Sequence, residues 1–170
     1  MVITDKDYIL GFMNGTSADF KSRTYADILA SSDEELEECH DQVQHIFPLH
    51  EHSNMAVKTY PLLSKEVVEE GKQDKAVIAN LLKAKDRFEI FYGIGKHNNP
   101  TRHSKWCRHM NHNLLRITRI IRSLRLFGLE DEAKEFYENV LAAESNYQVS
   151  PVTKGYWWRA VNEDVWKTLR

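Results

Sequence analysis

The chain has 170 residues, 42% hydrophobic and 28% charged, with a formal net charge of −2; that is enough for one well-buried core and too little for two comfortable ones. No run of 18 apolar residues is available to span a bilayer, and the opening MVITDKDYIL lacks the basic-then-apolar pattern of a secretory leader, so a cytoplasmic protein with no membrane span is expected. Cys39 and Cys107 lie far apart without a C-x-x-C spacing, which suggests neither a disulfide framework nor a redox motif, so both are expected to be reduced packing residues.

Periodicity predicts helices almost throughout, with strands at most minor, and hence a single all-α, compact multi-helix domain with irregular loops over residues 1–170. Thr4 with Asp7 opens a first helix that Gly15 closes, and Thr24 with Asp27 opens a short one around residues 24–30. Ser32 with Glu35 forms a capping box, after which Leu36, His40, Val43 and Phe47 share one stripe until Pro48 stops the helix. Asp74 caps a long helix with Val77, Ile78, Leu81, Leu82, Phe88 and Phe91 inward, ending at Gly93. Asn111 or Asn113 caps a helix that Gly128 ends, and Ala133, Phe136, Tyr137, Val140 and Leu141 mark its hairpin partner. Ser150 followed by Pro151 starts a last helix carrying Trp157, Trp158, Val161, Val165 and Leu169. Residues 14–23, roughly 48–63 and 93–105 are expected to be loops, the natural places for function.

Charge is segregated along the chain. Between Tyr25 and Val57 there are eight acidic residues, from Asp27 to Glu51, and no Lys or Arg; between Ile90 and Leu129 there are eight basic ones, from Lys96 to Arg125, and no Asp or Glu. Arginines at 116, 119, 122 and 125 step about 60° backwards around a helix axis at each interval, so some lie at the core boundary rather than on one solvent stripe. Three readings follow: pairing with the acidic helix around Asp33–Phe47, binding of an anion or nucleotide, or a nucleic-acid footprint over residues 96–125. Nothing resembling a basic arm, a zinc finger or an RNA-recognition signature supports the last.

Motifs for chemistry are sparse. His103, Cys107, His109 and His112 are possible metal ligands, but four ligands crowded on one short stretch seldom wrap a tetrahedron, so no metal and no cofactor are expected. Glu37-x-x-His40 is half of a helical di-iron pattern that has no second copy, which makes His40 a hydrogen-bonded residue of the inner helix face. There is no nucleophile elbow, phosphate-binding loop or H-E-x-x-H. A binding module is therefore expected before an enzyme.

DFKSRTYADILASSDEELEECHDQVQHIFPLHEHS, FEIFYGIG, NHNLLRITRIIRSLRLFGLEDEA and VSPVTKGYWWRAV together resemble the conserved domain of the opioid growth factor receptor family, over about residues 19–165. The most specific pieces are the acidic helix ending in Phe47-Pro48-Leu49 and the segment from His112 to Arg119. The chain departs from the pattern at His45, where the family carries an aromatic residue, usually Trp; the loss of a large ring is expected to reshape any nearby pocket. The resemblance implies a binding or regulatory role. The animal receptor is described as binding an enkephalin peptide and restraining proliferation, with long tails that make this chain look like a small stand-alone, microbial or viral-type member.

Both signature segments coincide with the acidic and basic helices, which makes Glu37, His40, Asp41, His112, Asn113, Arg116 and Arg119 the candidate ligand-binding residues. Asn113 and the first N–H groups of its helix would receive an anionic group, with Arg116 completing the clamp and His112 and His40 orienting it. The competing reading is a buried polar network that fixes helix register. The expected partner is a peptide, a protein or a small anionic ligand.

Overall fold

A computed structural model describes residues 3–52 and 60–169. Among the described residues there are only helices and connecting turns, and the chain divides into two compact units, residues 1–84 and 85–170. The fold is all-α.

The first unit holds α1 (Asp5–Met13), α2 (Tyr25–Leu29), α3 (Asp33–Glu38), α4 (His40–Ile46), α5 (Lys65–Gln73) and the first half of α6 (Lys75–Tyr92). Each of α1, α2 and α3 starts on a reciprocal capping box, Thr4 with Asp7, Thr24 with Asp27 and Ser32 with Glu35. Such caps satisfy two first-turn donors and let five- and six-residue helices exist where propensity alone would not. Ile9, Phe12, Met13, Tyr25, Ile28, Leu36, Ile46 and Phe47 are fully buried.

The single acidic helix expected after Ser32 is two helices. Cys39 at φ −89°, ψ 88° interrupts the ladder, so the register restarts at His40. His40 is consequently exposed rather than on the inner face, while Asp41, Val43 and His45 are buried. Helix α5 was not anticipated, although Ser64 accepts a hydrogen bond from Val67 N–H as an ordinary N-cap and Val67 and Val68 are buried. On α6, Val77, Leu81 and Phe88 are buried as expected, but Leu82 is exposed.

The second unit contains the rest of α6, a 3-10 turn (Gly95–His97), α7 (Pro100–Trp106), α8 (Asn113–Leu126), α9 (Glu130–Glu144) and α10 (Pro151–Asn162). Helix α8 packs against both α9 and α10. It ends where Gly128, at φ 80°, lets its N–H reach Arg125 O (3.0 Å) and Leu129 N–H reach Leu124 O (2.9 Å); this left-handed stop turns the chain tightly into α9.

Residues 93–105 are largely helical rather than loop. Asn99 accepts from Thr101 N–H and Pro100 occupies the first turn of α7, the same cap-then-proline signal that begins α10. The helix has a purpose visible in its bonds: Arg102, His103 Nε2 and Trp106 Nε1 donate to the carbonyls of Phe91 (3.3 Å), Gly93 (2.7 Å) and Tyr92 (3.0 Å). Three side chains thereby satisfy the carbonyls that the end of α6 leaves open. In α10, Trp157 is fully buried and its indole N–H donates to Leu114 O at 3.0 Å. Trp158 faces solvent, and Val165 and Leu169 follow the helix end at Asn162.

Candidate functional site

In the first unit the polar centre is built on the 14–23 segment and α4. Arg23 donates through Nε (2.8 Å) and Nη2 (2.6 Å) to Asp19, and through Nη2 (2.7 Å) to Asp41, which also pairs with Lys21 at 3.0 Å. The other oxygen of Asp19 accepts the backbone N–H groups of Lys21 and Arg23. Burial alone drives both carboxyls upward, but the Arg23 bonds outweigh it, aided at Asp19 by those two N–H groups and at Asp41 by Lys21; both end below the usual carboxylate range.

His45, 1% exposed, lies beside this cluster. Its Nδ1 is 2.9 Å from Asp41 O and its Nε2 is 3.4 Å from the Tyr8 hydroxyl, so the neutral ring carries its proton on Nδ1 and accepts from tyrosine at Nε2. Phe12, Phe20 and Tyr60 surround it with ring centroids 5.6, 5.0 and 4.3 Å away. The departure at position 45 thus sits in an aromatic cage. Burial pushes its pKa down, countered only in part by the Asp41 carbonyl and Asp19.

In the second unit, the signature segment begins at His112, which has helical backbone angles and gives no side-chain cap. Asn111 Oδ1 caps instead, accepting Asn113 N–H at 2.8 Å, and the N–H groups of Leu115 and Arg116 turn to His112 O. Asn113 (1% exposed) accepts from Tyr92 Oη at 3.4 Å and from Arg116 Nη1 at 3.3 Å, with Arg116 itself buried. His112 and Arg119 are half-buried, as is Glu37 on α3.

Arg122 and Arg125, further along α8, reach backbone carbonyls. Arg125 donates Nη1 to Ala160 O (2.6 Å) and Glu163 O (2.8 Å) and Nε to Glu130 (2.7 Å), and Arg122 donates to Lys167 O (3.2 Å). For Asp41 and Arg125 the partners are therefore local to their own unit rather than drawn from the opposite charge segment. Lys96 pairs with Asp86 at 2.7 Å, and Arg108 donates to Ser104 O. Much of the basic run is spent inside the fold.

No group of three or more His, Cys, Asp or Glu is arranged to hold a metal ion among the described residues. His103 is committed to Gly93 O, His109 is exposed, and Cys107 is buried with its thiol pushed up to about 12 by burial and by Glu144. His103, Cys107, His109 and His112 are thus not brought together. Sequence reasoning also missed Asp19, Arg23, Tyr8 and His45 as one cluster; Asp19-x-x-x-Arg23, lying next to an acidic run otherwise without cations, was the available signal.

A family model for the opioid growth factor receptor (OGFr) conserved region matches residues 17–164. The chain belongs to this family. Over 107 residues it is 37% identical to mouse opioid growth factor receptor-like protein 1, covering 57% of this chain and 22% of that protein. Over 108 residues it is 40% identical to the mouse opioid growth factor receptor, covering 56% and 16%. The rat receptor-like protein 1 matches at 37% over 107 residues. The matches therefore span between 16% and 22% of these relatives' lengths. No solved structure matches the chain. No helix among the described residues is long and apolar enough to cross a membrane.

Proposed function

We propose that this chain is an opioid growth factor receptor-like recognition module, binding a peptide or protein partner through its two signature segments and regulating that partner without chemistry of its own. Family membership over residues 17–164 carries the reading, supported by relatives whose names describe receptors. Within it the candidate residues divide by burial. Asp41, Asn113 and Arg116 are buried and hold the shape of their segments, while exposed His40 and half-buried Glu37, His112 and Arg119 meet the partner. Within each segment, taken by itself, the buried residues hold its shape and the accessible ones are left to make contacts.

Calorimetric titration with opioid growth factor peptide tests this. Saturable heat that weakens in His40→Ala and Arg119→Ala, with the helical content of both variants retained, is the expected result. Binding that is insensitive to all four accessible positions would overturn the assignment of the contact surface.

A further inference from the structure

A cleft of about 410 Å³ opens on the second unit between the 3-10 turn and α7 on one side and α9 on the other. Its volume falls within the ~300–1,000 Å³ of small-ligand sites. None of the residues of the proposed partner surface lines it.

The floor is Gly95, Asn139 and His103. Gly95 sits at φ +61°, and a Cβ there would meet Asn139 Nδ2 at 2.6 Å; only glycine lets the amide lie flat against the turn. Asn139 Nδ2 is 3.4 Å from Glu89 Oε1, a buried carboxylate also held by Lys85 at 3.0 Å. A carboxylate requires a donor, so the amide nitrogen faces Glu89 and Oδ1 is left as an acceptor for the cleft. His103 is 5% exposed and donates Nε2–H to Gly93 O, a bond that in the uncharged tautomer leaves Nδ1 as a second acceptor. Neither Asn139 Oδ1 nor His103 Nδ1 has a protein partner among the described residues.

The walls add hydrogen-bonding capacity without charge. The carboxamides of Asn98 and Asn146, both exposed at the rim, and the half-buried Tyr147 ring complete the lining, and no Asp, Glu, Lys or Arg contributes to it. The Glu89 carboxylate beneath the floor shares Lys85 with Glu135, so no excess positive charge lies there. Such a lining offers nothing to a phosphate or a carboxylate. It is dense in hydrogen-bonding groups for its volume, two of them fixed acceptors, beside an aromatic ring and the small apolar surfaces of Ala142 and Ala143.

We infer that this cleft is a binding site for a small neutral polyol, of the mono- or disaccharide class. Hydroxyls supply donors to Asn139 Oδ1 and His103 Nδ1 and accept from the rim carboxamides, and a sugar's C–H face lies against Tyr147. Phosphorylated sugars are excluded by the uncharged lining.

The test is amide and side-chain carboxamide shift mapping of the full chain against glucose, galactose and N-acetylglucosamine, each up to roughly 100 mM, a range that reaches weak single-site affinities. Saturable shifts of the Asn98, Asn139 and Asn146 carboxamides by at least one sugar are expected. The same sugar with every hydroxyl O-methylated should bind about tenfold or more weakly, because two acceptors would be covered without donors. Ala142→Leu, an exposed substitution on α9 that fills the cleft while leaving the fold intact, should abolish the shifts. The inference is overturned if no sugar perturbs these carboxamides, if the O-methylated sugar binds equally well, or if Ala142→Leu leaves binding unchanged. None of these outcomes bears on peptide binding by the signature segments, which is read in a separate titration.

Discussion

Arg23 in the first unit and Arg125 in the second do different work. In the first, Arg23 is held between two carboxylates, Asp19 and Asp41, next to a buried neutral histidine. In the second, Arg125 is turned mainly onto the carbonyls of Ala160 and Glu163, and α7 caps α6 with Arg102, His103 and Trp106. Carbonyls do not titrate, whereas carboxylates and imidazoles do. The Arg23 cluster is therefore built to feel acid and the Arg125 contacts with the α10 carbonyls to ignore it.

The largest effect should come from Arg23→Ala. It leaves Asp19 buried with no cationic side chain bonded to it and Asp41 with only the half-exposed Lys21, and removing one member of a buried pair costs about 3–5 kcal/mol. Chemical denaturation should show that loss at pH 7, and lowering the pH should narrow the gap to the parent chain as both carboxyls protonate. Arg125→Ala comes next. It strips charged donors from two carbonyls at the end of α10, for about 1.5–3 kcal/mol, while its Glu130 contact, 57% exposed, adds little. That loss should stay constant from about pH 5 to 8, since no group titrating in that range loses a partner. A decline with pH as steep as that of Arg23→Ala would erase the contrast.

Acid sensitivity of the parent chain follows in size. His45 is held below its usual 6.5 by burial, so the unfolded chain binds the proton more tightly, and stability falls as pH drops below that value until the folded ring itself protonates. Asp19 and Asp41 lie below the usual 3.8; their contribution is complete above that value and is lost as pH falls through their folded values. Melting temperature against pH should therefore fall in two stages. His45→Phe keeps a ring in the cage of Phe12, Phe20 and Tyr60 and should remove the upper stage alone, with little change at pH 8. The smallest effect is Thr24→Ala, which removes the α2 capping box for about 0.5–2 kcal/mol.

Helix identity was legible wherever a cap and a stripe coincided, as at Thr4, Thr24, Ser32, Ser150 and the Gly128 stop. It failed where a signal was short or polar. Asn99-Pro100 carries the same meaning as Ser150-Pro151, but α7 has few apolar residues, because its side chains are spent on the carbonyls of α6. The break at Cys39 has no Gly or Pro to announce it, and it alone turns His40 outward. The helical drift of the arginines placed some of them at the core boundary, where Arg116 and Arg122 are buried, without saying which, and it carried no signal for the burial of Asn113. The Asp19–Arg23–Asp41 cluster was not legible, because its partners come from separate elements whose approach no local pattern encodes.

The central claim is that a partner is recognised on the accessible faces of the two signature segments while their buried members hold the frame. Backbone amide shifts of the labelled chain, followed through a titration with opioid growth factor peptide, test it most directly. Saturable shifts concentrated in residues 33–47 and 112–126 are predicted, led by His40 and Arg119. Shifts confined to other parts of the chain, or none at all, would contradict it.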